Sequence, residues 1–156
     1  MGGVSMATRE GVLNAPSAIA RLLRSSIFAL LARIALTTAY WWGGLSKLLD
    51  LPGAVAEIQH FGLPSPRALA ALTILTELGA SILLISGRGV WLAAGMLAVF
   101  TAWATLLAHA FWTFPSAQRA SELNSFLEHI GLVGGFLLAA ALSELTASQN
   151  ATSARL

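Results

Sequence analysis

The sequence predicts an all-α fold: an integral membrane bundle of four antiparallel helices joined by short loops. Three observations carry this prediction. Hydrophobic residues make up 56% of the 156-residue chain and charged residues only 10%, where a soluble domain carries about 25% charged residues; the mean hydropathy is +0.75. Four apolar runs approach the ~20 residues that cross a bilayer, and with their connections they use nearly the whole chain, leaving no room for a soluble domain. The breaks between the runs carry residues that start or stop helices.

Residues 1–26 read as a cytoplasmic segment, disordered over 1–16 and then forming a short interfacial helix in "SAIARLLRSS", where Ile19, Leu22 and Leu23 oppose Arg21 and Arg24. The membrane domain is expected over 27–145, with spans at about 27–49, 66–86, 89–110 and 126–145. The first run is longer than the apolar part of a secretion signal and lacks a small-x-small cleavage pattern, so it reads as a retained span. It ends at "SKLLDLPG", where Pro52 and Gly53 are expected to break the helix, and "GAVAEIQHFG" reads as a second interfacial helix with Val55, Ile58 and Phe61 toward lipid and Glu57 and His60 wet. Ser65 and Pro66 mark the N-terminus of the second span and Gly87 its C-terminus. The turn "SGRG" is so short that the second and third spans must be antiparallel neighbours. A Ser-x-x-Glu pattern, Ser125 to Glu128, reads as a capping box that opens the fourth span. The tail 146–156 is polar and expected to fray.

Charge excludes several functions. Nine basic and seven acidic residues give a net charge of +2, so there is no basic surface for nucleic acid. With no cysteine there is no disulfide, thiolate nucleophile or thiolate metal ligand. Cys-x-x-Cys-His, Rossmann glycine and P-loop patterns are absent, which argues against a self-sufficient redox enzyme or an ATPase. Arg9, Arg21, Arg24, Arg88 and Arg155 fall on one side of the membrane and Lys47, Arg67 and Arg119 on the other, so both termini are expected in the cytoplasm of a bacterial inner membrane.

Helical phase shows where the polar groups inside the spans point. Arg33, Thr37, Tyr40, Gly44 and Lys47 recur at steps of four and three along one stripe of the first span. Thr73, Glu77, Ala80 and Leu84, with Ser81 beside them, form a stripe in the second; Trp91, Gly95, Ala98, Ala102, Thr105 and His109 form one in the third; Gly131 and Gly135 contribute a small-residue face in the fourth. The small residues read as helix-packing faces. Glu77 lies near the centre of its span, and a lone charge there costs roughly 2.5–3.5 kcal/mol on insertion scales. Arg33 enters from the same side within side-chain reach, so the pair Arg33–Glu77 is expected, in a polar site also lined by Thr37, Tyr40 and Thr73. The alternative is that Arg33 snorkels to the interface and Glu77 is protonated.

A second group of candidates gathers at the outer interface: Lys47, His60, His109, Asn124, Glu128 and His129. Histidines and a carboxylate there can ligate a metal or hydrogen-bond a quinone head group, but none of them has His-x-x-x-His or Glu-x-x-His spacing, so no metal is assigned. Trp41, Trp42 and Trp112 suit an aromatic belt.

In order and spacing, "GGLSKLLD", "FGLPSPRALAAL" with the following "ELGASILLISG", "LAHAFW" and "LNSFLEHIGLVGGFLL" together resemble the DoxX family across residues 27–145. Its members are small four-helix bacterial inner-membrane proteins related to the DoxD subunit of a thiosulfate:quinone oxidoreductase, and many are linked with redox or thiol stress. Arg33, Lys47 and Glu77 fall on charged positions that recur in the family; where the fourth span commonly begins with Lys-Asn, this chain has Glu128 and His129. The resemblance implies a membrane subunit or accessory of a quinone-linked oxidoreductase, with quinone as ligand and a peripheral oxidoreductase subunit or a second copy of the chain as partner beside the lipid bilayer. A non-catalytic anchor or assembly partner is the alternative, and a small transporter ranks behind both because broken, doubled helices are missing. Whether any reaction is catalysed is left open by the sequence.

Overall fold

The computed structural model describes residues 15–154, and every regular element among them is helical. The order is α1 (Ser17–Leu23), α2 (Ser26–Leu36), α3 (Thr38–Leu49), α4 (Leu51–His60), α5 (Pro66–Ser86), α6 (Val90–Ala108) and α7 (Ser116–Ser153), with a 3-10 turn at Phe111–Thr113. Three stretches are long and apolar enough to cross a membrane: α5, α6 with the following 3-10 turn, and α7. The expected disorder of residues 1–16 lies, for 1–14, outside the described residues, as do Arg9 and Arg155.

The first expected span is two helices. Thr37 hinges them at φ −96°, ψ 3°: its hydroxyl donates to the Arg33 carbonyl at 2.7 Å and Thr38 Oγ1 donates to the Ile34 carbonyl at 2.9 Å. Threonines that bond back onto the preceding turn bend a helix. The turn beyond tightens, with the Tyr40 N–H donating to the Thr37 carbonyl at 3.0 Å.

The helix breaks after Leu49 as expected, but at Asp50, and Pro52 and Gly53 lie in the first turn of the next helix instead of in the break. Asp50 caps α4 by accepting from the Gly53 N–H at 3.0 Å, and Pro52 takes an early position that needs no N–H donor. Ala54 is buried, and Ile58 and Phe61 line an internal cavity rather than facing lipid alone. α5 keeps the expected bounds, although Ser65, at φ 51°, makes no side-chain capping hydrogen bond. Gly87 adopts φ 75°, and the Gly87 and Arg88 N–H groups donate to the Leu84 and Leu83 carbonyls at 3.2 and 3.1 Å, the Schellman arrangement that needs a left-handed residue.

The last expected span differs most from expectation. α7 starts at Ser116 and continues to Ser153, so Ser125 and Glu128 lie inside a helix and form no capping box; the Glu128 carboxylate instead accepts from Asn124 Nδ2 at 2.6 Å. The residues of 146–153, expected to fray, continue the same helix.

Small side chains close the core. Ala80 and Leu84 of α5 meet Ala93, Ala94, Leu97 and Ala98 of α6, Phe136 of α7 and Tyr40 of α3, with the Tyr40 and Phe136 rings edge to face at 5.3 Å. The buried face of α6 is Val90, Ala93, Ala94, Leu97, Ala98, Thr101 and Thr105, turned from the expected stripe so that Trp91 is exposed. Gly131 is also exposed, whereas a Cβ at Gly135 would come within 3.1 Å of Leu36 Cδ1. Leu75, Val99, Trp103 and Leu138 cover the outside, the apolar exterior that lipid requires.

Candidate functional site

A cavity of about 750 Å³ opens among α3 to α7, within the 300–1,000 Å³ range of small-molecule sites. Leucines, Met96, Val99, Phe100 and Trp103 supply most of its wall. Its polar groups come from five helices: Tyr40 and Lys47 from α3, Glu57 from α4, Thr73, Thr76 and Glu77 from α5, Thr101 from α6 and His129 from α7.

Glu77 is held by Lys47 and not by Arg33. Lys47 Nζ lies 3.2 Å from Oε1 and 3.3 Å from Oε2 of Glu77, and the carboxylate side chain is only 7% exposed. The close approach of α3 and α5 creates the pair. Gly44 rests on Leu78 and on the Glu77 Cβ, and Lys47, one turn further along, reaches back, because helical side chains lean toward the N-terminus. Arg33 sits at the other end of α5, with its guanidinium against Gly87, where a cation favours the helix C-terminus. Thr37 is fully buried but serves the hinge, so Tyr40, Thr73 and Glu77 line the cavity while Arg33 and Thr37 do not.

Two hydrogen bonds tie the far wall together. Tyr40 Oη and Thr101 Oγ1 are 2.6 Å apart, and one turn along α6 Thr105 Oγ1 meets His129 Nδ1 at 3.0 Å. The hydroxyls of both threonines also donate backward, Thr101 to the Leu97 carbonyl at 2.5 Å and Thr105 to the Thr101 carbonyl at 2.6 Å.

The outer candidates divide. The His109 and His129 rings meet edge to face at 4.8 Å, and His109 Nδ1 contacts Glu122 Oε2 at 2.8 Å. His60 is exposed and packs on Phe61 at 5.5 Å. Asn124 and Glu128 bond only each other on the exposed face of α7. Among the described residues no group of three or more ligating side chains could hold a metal.

Sequence reasoning missed Thr76, Thr101 and Glu122. For Thr101 a signal existed: two threonines at i and i+4 on an otherwise apolar helix define the face that Thr105 alone left uncertain by one residue. Glu122 lay in a segment assigned to a loop.

Described residues that are helical throughout their regular elements, with apolar outer faces, a partly buried ion pair and a largely apolar cavity carrying a few polar groups, define a class, that of membrane-embedded helical proteins. Within that class the chain belongs to the DoxX family, whose model, described as DoxX, matches residues 28–110. It is also similar to Inner membrane protein YphA of Escherichia coli (strain K12), 25% identical over 114 residues that cover 73% of this chain and 81% of the relative. No solved structure matches the chain.

Proposed function

We propose that this DoxX-family protein is an inner-membrane protein that binds a quinone-type ring in its internal cavity and serves as the membrane subunit or accessory of a quinone-linked oxidoreductase. The cavity carries this reading: it joins a wide apolar wall to a cluster of hydrogen-bonding groups, the combination that holds an isoprenoid ring compound by its tail and its oxygens. Its lining includes Leu72, Val99 and Trp103, which also lie on the lipid-facing exterior, so a ligand dissolved in the bilayer has a way in. The name of the relative YphA supports placement in the inner membrane. The test is the thermal midpoint of purified protein with short-chain ubiquinone or menaquinone analogues. Ligand at about 100 times its Kd adds roughly 2.7 kcal/mol of apparent stability; no shift near saturation would leave the anchor or assembly role instead.

The same reading has four spans, with α2 and α3 as one bent crossing, and both termini in the cytoplasm. With Arg33 at the Gly87 end and Lys47 committed to Glu77, the basic residues divide as Arg9, Arg21, Arg24, Arg33, Arg88 and Arg155 on the inner side against Arg67 and Arg119 on the outer. Reporters fused after Gly89 and after Ser148 are expected to signal the cytoplasm, and a periplasmic signal from either would reverse the topology. A peripheral oxidoreductase subunit or a second copy of the chain is the partner this role implies, and co-purification under mild detergent is the measurement.

A further inference from the structure

Hydrogen-bond polarity in the cavity goes further than its shape. A threonine hydroxyl has one hydrogen to donate and lone pairs to accept with. Thr105 donates its hydrogen to the Thr101 carbonyl at 2.6 Å, so at the 3.0 Å contact with His129 the donor is Nδ1–H of the imidazole. A neutral histidine protonated at Nδ1 has a bare Nε2, which accepts. Thr101 likewise gives its hydrogen to the Leu97 carbonyl, so Tyr40 donates its phenolic hydrogen to Thr101 across 2.6 Å and keeps only lone pairs for a ligand. Two threonines one turn apart, roughly 6 Å along α6, thus turn both of their neighbours into acceptors.

From this accounting we infer that the cavity wall at Tyr40, Thr101 and His129, with Thr105 behind it holding the imidazole, takes a hydroxyl-bearing ring, a hydroquinone or phenol, in preference to the oxidised quinone. The inference rests on the cavity being a ring-binding site. A quinone carbonyl accepts only and would face the lone pairs of Tyr40 Oη and His129 Nε2; a quinol hydroxyl donates to either. On the opposite wall the Lys47 ammonium has three hydrogens for its two contacts with Glu77, and either a carbonyl or a phenolic oxygen can accept the third. Thr73 and Thr76 carry hydroxyls that rotate to either polarity. Discrimination therefore lies on the α6 and α7 side.

The experiment measures binding of short-chain ubiquinol, the matching ubiquinone and the quinol dimethyl ether to the full chain in nanodiscs. Since leaving a buried polar group without a partner costs affinity, the quinol is expected to bind roughly ten-fold or more tighter than the other two. His129→Phe should narrow the gap between quinol and quinone affinities, with Tyr40 left as the remaining acceptor. Thr105→Val removes the acceptor that fixes the tautomer, so the preference should shrink there too, and Thr105→Ser, which keeps the hydroxyl, should restore it. Equal or reversed affinities in the parent protein would overturn the inference and leave a ring site standing; binding of none of the three would overturn both. A preference undiminished in both His129→Phe and Thr105→Val would also overturn it.

Discussion

Lys47→Met alone should be among the most destabilising single changes in the protein, at about 3 kcal/mol or more, because removing one partner of a buried pair strands the other. Glu77 has nowhere to turn: its carboxylate is nearly buried between α3 and α5, and Lys47 is its one ionic partner among the described residues. Glu77→Gln should cost less, since Lys47 is 22% exposed and its flexible stem lets the ammonium swing away from the site. The double variant Lys47→Met with Glu77→Gln should recover much of the loss. Thermal midpoints of the four proteins give the coupling directly, and additivity would refute the pair. Arg33→Met supplies the control. Arg33 lies against Gly87 at the end of α5, so its effect should add independently to that of Glu77→Gln.

Depth measured along each apolar run from its own end sets Ile27 level with Ser86 and so favours Arg33 as the partner of Glu77; the structure shows another register. Gly44 packs against Glu77 and Leu78, so in two antiparallel helices the position eleven residues earlier, Arg33, falls level with the residues just past Ser86. Its guanidinium does meet Gly87. Eleven residues amount to roughly 16 Å, well beyond an arginine's reach to Glu77. The stripe itself was legible, as Tyr40, Gly44 and Lys47 do face α5, because 3.6-residue periodicity is local. Register is not local: it depends on which side chains are small enough to nest, and on α4, which ends α3 only one residue before a new helix begins.

Helix ends were legible where backbone geometry admits few residues. Pro66 and Gly87 bound α5 as expected, the one by its fixed φ and the other by φ 75°. The start of α7 was hidden because Ser125 and Glu128 have capping spacing and are also compatible with a helix interior, where the competing acceptor was taken by Asn124. In the cavity, Tyr40, Thr73, Glu77, Lys47 and His129 were visible as polar residues on apolar helices. The connections between them were not, since the bonds of Tyr40 to Thr101 and of His129 to Thr105 depend on the rotation of α6 about its axis, and an alanine-rich helix gives little contrast between its faces.

Gly44→Leu should disrupt the protein more than any other glycine substitution in its spans, by loosening the contact that sets this register. A Cβ at Gly44 would lie 2.8 and 2.9 Å from Leu78 Cγ and Cδ2 and 3.1 Å from Glu77 Cβ, so even Gly44→Ala forces Leu78 aside. Overpacking of this kind costs typically about 1–3 kcal/mol, partly offset by alanine's helix preference of about 1 kcal/mol, and leucine exceeds it. Two nearby glycines isolate the cause. At Gly43 the nearest atoms to a Cβ are Lys47 Nζ at 3.5 Å and Glu77 Oε2 at 3.6 Å, ordinary contacts, and at Gly79 nothing lies within 4 Å; alanine at either should be neutral or stabilising. Leu78→Ala should restore the thermal midpoint of Gly44→Ala by vacating the space. If Gly44→Ala proves as stable as Gly43→Ala, the helices can shift apart without penalty, and a fixed α3–α5 register no longer explains why Lys47 meets Glu77.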